Sequence, residues 1–487
     1  TTKKIQGEGF GFDASTTGEY DEEKNFGGYS QLNMSYRKNG LELGAYAFGA
    51  RQYQPDNKDF QQKTYLDKTW NQKSVNRQVT IVEAMNFRLD ASYQLDANNS
   101  IGANFGFLRN PKQTWNGDMS SSILQNEELS ENSDSHADFF WQKNNLSSNI
   151  YYVGKIGKLC IDFNTDWLWS KEYQNDVTKE QYQEVGMNAQ SQTAHSLTNK
   201  DYHLLASKLV LSYPLLGGNL SLGGEYSNTH RTSKYQVVPT NLVADDDSRI
   251  TESMTSSFLT YSKDFGNLSL EAGMRYEYID FNYYEYGKYV PGQSKSYGNW
   301  FPSLSLSMPV GKVQMQLSYA ADINRPSYHN LRSGIQYDNR YTYETGNPFL
   351  VSQISRNLNY ELAYKWLTFD MTYSHTSHPI MPTVETYKDN PAIGLMKPVN
   401  GNSYNDVAAS INLRPSFGIW YPSFTASVDK QWFDMETHDG KSLNKPMASF
   451  RLNNTLNTKL GMFTLMMSYI TKGYERNIYL YKPRFRT

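Results

Sequence analysis

The 487-residue chain has a single cysteine, Cys160, which rules out an internal disulfide framework and any cysteine-rich metal site. Charge of one sign is lacking as well: 47 Lys and Arg stand against 49 Asp and Glu, a formal net charge of −2 with a pI of about 6.5. Nothing in that balance favours a nucleic-acid partner, which normally requires a basic patch or stripe, and none is expected. Long hydrophobic runs are missing: mean hydropathy is −0.69, and no apolar stretch approaches the roughly 20 residues a spanning helix requires. That test does not reach segments that cross lipid as strands, where only every second side chain need be apolar. A secretory leader is not visible either. Thr1 to Lys4 runs straight into strand-like sequence, so the expectation is a mature protein or a start inside a longer chain.

What the chain does have is a rhythm. In Leu268 to Tyr278, Leu268, Leu270, Ala272, Met274, Tyr276 and Tyr278 alternate with Ser269, Glu271, Gly273, Arg275 and Glu277. Successive strand side chains point to opposite faces, so such a segment is an extended ribbon with one oily side. The pattern repeats end to end without a compositional break, which argues for one architectural unit rather than several soluble domains.

The connections alternate in length. Short ones fall at Lys38–Gly40, Asp96–Asn99, Gly154–Lys158, Leu215–Asn219, Asp264–Asn267, Val310–Lys312, Lys365–Trp366, Ser416–Gly418 and Leu460–Gly461, several with the Gly, Asn or Asp of tight hairpins. Between them lie Gln54–Asn76, Pro111–Asp134, Gln174–Asp201, Arg325–Arg356 and Pro379–Ser403, expected as long loops. Segments such as Val313–Tyr319, Leu367–His375, Leu159–Trp169 and Ile101–Leu108 sit in stretches of about ten residues, near the 9 to 11 that cross a bilayer. Aromatics make up 14% of the chain, with Trp167, Trp169, Tyr261, Trp300, Trp366, Trp420, Tyr421 and Trp432 near strand ends, where rings suit a membrane interface.

These features predict an all-β, antiparallel transmembrane β-barrel of the outer-membrane type, with lipid-facing Leu, Phe, Met and Tyr and a polar lumen of Ser, Thr, Asn, Gln and Glu. Nine turns and a first segment at Ile5–Thr17 give about nineteen strands, while bacterial single-chain barrels use even numbers. The tail Tyr479–Thr487 reads as the start of another strand, and an unclosed edge in lipid leaves backbone groups unpaired, so closing strands are expected beyond residue 487.

Catalytic and cofactor motifs are not found. Gly7-Glu8-Gly9-Phe10-Gly11 has no helix after it, so a nucleotide loop is disfavoured, and Gly7, Gly9 and Gly11 share one strand face that suits a smooth lumen wall. His375 and His378, three apart in a strand, face opposite sides and are poorly placed to share a metal. Asp245-Asp246-Asp247 reads as a solvated loop tip rather than a cation site, and Asp439-Gly440 as a turn rather than part of a phosphate loop at Gly440-Lys441-Ser442. The strongest binding candidate is Asn330–Thr345, where Arg332, Tyr337, Arg340, Tyr341 and Tyr343 mix rings with fixed polar groups. Packing of long loops against one another accounts for the same tyrosines.

Arg325-Pro326-Ser327-Tyr328, Gly346-Asn347-Pro348-Phe349-Leu350 and Asn359-Tyr360-Glu361-Leu362 resemble, in order and spacing, a motif of the TonB-dependent outer-membrane receptors, in the branch called the outer-membrane β-barrel family. The resemblance implies a barrel of twenty-two strands preceded by a plug, with Thr1-Thr2-Lys3-Lys4 similar to the end of the plug's last strand. It further implies an outer-membrane location and uptake of a scarce nutrient such as a siderophore, vitamin, oligosaccharide or peptide. Energy would come from the TonB-ExbB-ExbD complex through the plug, and a surface lipoprotein is a further partner. Two rivals remain at this stage: a passive porin-like barrel, and a soluble all-β adhesin or carbohydrate-binding protein.

Overall fold

A computed structural model describes residues 8–20, 25–65, 68–388, 390–433, 444–475, 479–481 and 484–486, and every regular element among them is a strand. Thr1 to Lys4, Gly7 and the Asp439–Ser442 segment lie outside the described residues.

In chain order the strands are β1 (Gly9–Tyr20), β2 (Phe26–Lys38), β3 (Leu41–Tyr65), β4 (Thr69–Gln94), β5 (Ser100–Gln125), β6 (Glu128–Ile156), β7 (Leu159–Glu184), β8 (Gln190–Leu215) and β9 (Gly218–Val238). Then come β10 (Asp246–Phe265), β11 (Leu268–Glu285), β12 (Lys288–Tyr289), β13 (Lys295–Val310), β14 (Val313–Asn324), β15 (Ile335–Asn339), β16 (Thr342–Thr345), β17 (Gln353–Tyr364) and β18 (Leu367–Ser377). The last are β19 (Ile380–Tyr387), β20 (Asn390–Asn400), β21 (Tyr404–Leu413), β22 (Trp420–Trp432), β23 (Met447–Thr458), β24 (Gly461–Ile470), β25 (Gly473–Glu475), β26 (Tyr479–Tyr481) and β27 (Arg484–Arg486).

Of these, 21 form one antiparallel sheet, and since the two-residue β12 only folds back on β11, twenty strands make the wall. Each wall strand pairs with the next along the chain, from β1–β2 to β24–β27. That is one more than the nineteen read from the sequence, because Arg484–Arg486 in the tail continues the ladder beside Ser468–Ile470.

The nine tight turns lie where the sequence puts them, all at one end of the wall. At Asn39-Gly40 and Leu216-Gly217 both central residues have φ between 51° and 80°, the geometry that makes a two-residue hairpin match strand twist.

At the opposite end the outcome differs from expectation. Gln54–Asn76, Pro111–Asp134 and Gln174–Asp201 are not long loops; apart from short hairpin tips and bulges at Asn110/Gln113 and Ile123/Leu124, their residues continue the pairing of β3 with β4, β5 with β6, and β7 with β8. These strands run to 25 to 29 residues, far beyond the 9 to 11 that cross lipid. At roughly 3.3 Å per residue and a tilt near 45°, the wall there rises about 60 Å, more than twice a lipid-facing band of about 25 Å. Above that band both faces meet water, so the alternation that marks a strand in the sequence fades although the pairing does not.

The paired registers settle which face is which. Gln316, Ser318, Asn359, Glu361, Thr372, Ser410, Thr425 and Asn453 share one face, where Gln316 donates to Ser305 Oγ at 3.2 Å and Thr372 to Asn359 Oδ1 at 2.8 Å. The other face carries Leu304, Leu317, Leu358, Met371, Val428 and Phe450, all exposed, with Leu317 at 42%. A large protein that leaves such a continuous apolar face bare offers it to something other than water.

The connections β14–β17 and β18–β21 build a second layer. Here β15, β16, β20 and β19 form a four-stranded sheet, with β16 and β20 parallel, against the inner face of the wall. One core joins Tyr337, Tyr343 and Tyr387 of this inner sheet to Ala194, Tyr235 and Val237 of the wall. A second joins Leu331 and Leu350 to Ile250, Ile279, Phe281 and Tyr283. The expected all-polar lumen is therefore corrected for this upper part: β10 and β11 turn apolar inside where the connection packs on them, because buried surface there is protein rather than water.

Candidate functional site

The space enclosed above the lipid band, between the long strands β6–β11 and the inner sheet, takes in the Asn330–Thr345 binding candidates and the motif residues that flank them. The Arg325–Leu350 segment enters it through a series of fixed joints. Arg325 pairs with Glu277 on β11, which also accepts from Arg275 Nε at 2.5 Å. Pro326 follows, and Tyr328 then donates its hydroxyl to Glu252 at 3.1 Å while its carbonyl accepts from Arg231 Nη1 at 3.0 Å.

Gly346 lies so close to the preceding strand of chain that a Cβ there would stand 2.5 Å from the Arg332 carbonyl oxygen, so only glycine fits without a backbone shift. Asn347 next to it donates its amide N–H to Asn330 O at 2.6 Å and its Nδ2 to Pro398 O at 3.2 Å, tying the two connections together, and Pro348 leads into Phe349, whose N–H is accepted by Asn347 Oδ1 at 3.1 Å. The motif residues are thus what folds the connection inward.

Arg332, Tyr337, Arg340, Tyr341 and Tyr343 all lie on this segment, but they divide. Arg340 makes a bidentate pair with Glu131, Nε to Oε1 at 2.7 Å and Nη2 to Oε2 at 3.1 Å, and its guanidinium sits 3.5 Å from the Tyr182 ring centre. Tyr341 donates to the same Glu131 carboxylate, and Tyr337 donates to Glu180, whose other oxygen accepts the Arg340 N–H at 2.8 Å. Burial pushes the Glu180 carboxyl above its ordinary value and raises the Tyr337 phenol too, so the shared hydrogen bond is made in a dry setting. Tyr343 sits between Tyr337 and Tyr387, tilted to the first and edge-on to the second, with ring centres 5.3 and 4.8 Å away.

A cleft of about 300 Å³ between the inner sheet and the wall brings together Arg340, Tyr341 and Tyr343 with Trp70, Glu131, Glu184 and Gln192. Arg332 and Tyr337 do not line it. Arg332, only 7% exposed, is matched by Glu344 at 3.1 Å, and a hydrogen bond from His329 together with that charge holds the Glu344 carboxyl down at about 2.

The sequence did not mark the wall residues that complete this site. Glu131, Glu172, Glu180, Lys200 and Arg231 sit in stretches where apolar alternation is absent, and only the register shows that they face inward. Nor is the Asp245–Asp247 triplet a solvated tip. Asp245 accepts the Val237 N–H at 3.1 Å, Asp247 pairs with Lys234 at 3.0 Å, and Asp246 is buried beside Ser248 with its carboxyl pushed up to about 6 by burial. His375 bonds Asn405 at 2.8 Å. Among the described residues no group of three or more His, Cys, Asp or Glu is arranged to hold a metal ion.

A wall of sequentially paired antiparallel strands, bare and apolar outside, polar inside, with tight turns at one end and a folded interior at the other, is the geometry of a protein that crosses lipid with strands. The family model described as outer membrane protein beta-barrel family matches residues 155–486. The chain belongs to that family. It is an outer-membrane β-barrel, and the reading as a soluble adhesin falls with that assignment.

Solved structures repeat the fold at low identity. The copper transporter OprC superposes with a TM-score of 0.62 at 9% identity, over 99% of this chain and 72% of that one. A mutant of the ferric enterobactin receptor PfeA from Pseudomonas aeruginosa gives 0.57 at 12% identity, over 99% and 72%. The siderophore receptor PirA from Pseudomonas aeruginosa gives 0.51 at 12% identity, over 95% and 71%. None of the curated proteins matches the chain.

Proposed function

We propose that this barrel is the wall of a TonB-dependent receptor that takes up a scarce nutrient across the outer membrane. The observation that carries the reading is the folded interior. Two long connections leave the wall, meet in one four-stranded sheet, and are locked to the wall by buried carboxylates, which builds a recognition chamber rather than an open pore. The neighbours in fold are named as receptors and transporters of siderophores and copper, which supports uptake as the class of activity and leaves the nutrient open.

In this reading a plug precedes Thr1, closing strands follow residue 487, and the TonB-ExbB-ExbD complex acts through the plug, with a surface lipoprotein as a further partner. Of the five residues first singled out for binding, Arg340, Tyr341 and Tyr343 contribute to the cleft, while Tyr337 and Arg332 hold the inner sheet in place. The passive-porin rival rests on the same wall and differs in energy dependence. Uptake by cells carrying the full-length gene should stop when the proton gradient is collapsed or TonB is deleted. Uptake that continues unchanged under both treatments would establish the porin instead.

A further inference from the structure

On the inner face of the wall, Lys143 of β6, Glu172 of β7 and Lys200 of β8 are direct neighbours in register, so their side chains stand in one row on the chamber side. The outward neighbours of that row, Lys171 and Asp201, are charged, which puts it above the lipid band. Lys143 Nζ lies 2.8 Å from Glu172 and Lys200 Nζ 3.7 Å from it. Arg231 of β9, one position below and on the same face, also acts on Glu172 through its charge.

Two lysines therefore pair with one carboxylate, and Arg231 adds a third positive charge on the same face without pairing to it. Glu172 is held below the ordinary carboxylate range by Lys143, Lys200 and Arg231 against the opposing effect of burial, and burial lowers Lys200 and Arg231. Of the other acids nearby, Asp176, four residues up β7, faces Lys200 but takes its hydrogen bonds from Gln174 Nε2 at 2.8 Å and Ser196 Oγ at 3.3 Å, and Glu344 pairs with Arg332 and His329. Arg231 spends one N–H on the Tyr328 carbonyl, a neutral acceptor. Asn145, beside this row on β6, keeps its Oδ1 buried without a hydrogen-bond partner. Half-buried charges left in excess are costly and call for a counter-ion.

We propose that Lys143, Lys200 and Arg231 form a binding site for the oxyanion groups of a multivalent anionic ligand, a polycarboxylate or a phosphate ester, with Glu172 keeping the three cations spread when the chamber is empty. The inference rests on the receptor reading and names the substrate class of that same chamber. Two lysine heads on one carboxylate, with an arginine next to them on the same face, can grip a second anion by charge-assisted hydrogen bonds, and Tyr202 and Tyr328, with ring centres 6.2 Å apart, wall the site on the side of Arg231.

The test is titration calorimetry on the full-length receptor in detergent at low ionic strength, with citrate and pyrophosphate as probes. Binding of either is expected, weakening with added salt, and the probe that binds identifies the oxyanion as carboxylate or phosphate. Lys200→Gln and Lys143→Gln should each weaken binding by about tenfold or more, Lys200→Arg should restore it, and Glu172→Gln should tighten it. Lys312→Gln, in a tight turn, serves as the control and should bind as the parent does. No binding of either anion by the parent, equal binding by the glutamine variants, or weaker binding by Glu172→Gln would each overturn the proposal. TonB-dependent uptake of a neutral nutrient alongside silent calorimetry would defeat this inference and leave the receptor reading intact. Anion binding without energy-dependent uptake would do the reverse.

Discussion

At the scale of single residues the decisive quantity is facing. Leu317 and Gln316 are adjacent on β14, yet Leu317 is exposed on the apolar side and Gln316 bonds Ser305 on the polar side. Leu317→Lys places an ammonium in hydrocarbon and should cost about 2–4 kcal/mol if the site lies near the midplane, whereas Gln316→Lys should be mild. Denaturant titration of the two variants refolded into bilayers gives the comparison, and equal losses would reverse the assigned faces. Gly346 offers a second case at this scale. A methyl group there meets the Arg332 and Asn330 carbonyl oxygens at 2.5 and 2.7 Å, so Gly346→Ala should destabilise the Arg325–Leu350 segment by about 1–3 kcal/mol. Faster local hydrogen exchange around Asn347, with the wall unchanged, is the expected reading. Exchange as slow as in the parent would mean that the backbone yields at little cost.

The inner sheet is the element whose behaviour follows from its underside. Asp176 and Asp246 lie beneath it, each pushed by burial from the ordinary 3.8 up to about 6, with Asp246 also facing Glu285, Asp247 and Arg332, and Asp176 facing His195 and Lys200. An acid whose folded value is raised favours the folded state below its unfolded value and loses that contribution as pH rises through the folded value. The window is thus about pH 4 to 6. Amides of Leu331 to Thr345 should therefore be better protected at pH 5 than at pH 8 once intrinsic chemical rates are divided out. Equal or weaker protection at pH 5 would show that the carboxylates reach water when the sheet is in place. None of this element was legible from periodicity. Tyr337, Tyr341 and Tyr343 were visible as unusual, but whether rings in a connection meet a ligand or a wall depends on partners such as Glu131 and Glu180 some 160 to 210 residues away in sequence.

For the whole molecule, the tight turns and the lipid-facing halves of the strands were readable because two local rules operate there: hairpin geometry selects Gly and Asn, and lipid on one side enforces alternation. The upper halves of β3 to β9 obey neither rule. Gln54 to Asn76 is polar on both faces, so it reads as a loop, while the ladder Gln54–Thr80 to Tyr65–Thr69 shows continuous pairing. Long strands at one end and short turns at the other make the molecule strongly lopsided across the membrane, and that asymmetry can be checked in living cells. Cys160, the native thiol, is first replaced by Ser. Asn126→Cys, at the hairpin tip joining β5 and β6, should then react with a membrane-impermeant maleimide on intact cells, because the tilted wall lifts it about 60 Å above the turn end. Lys312→Cys, in the turn between β13 and β14, should react only after the outer membrane is permeabilised. Labelling of Lys312→Cys on intact cells with Asn126→Cys protected would invert the barrel, and with it the chamber would face the periplasm, where a receptor for external nutrients has no use for it.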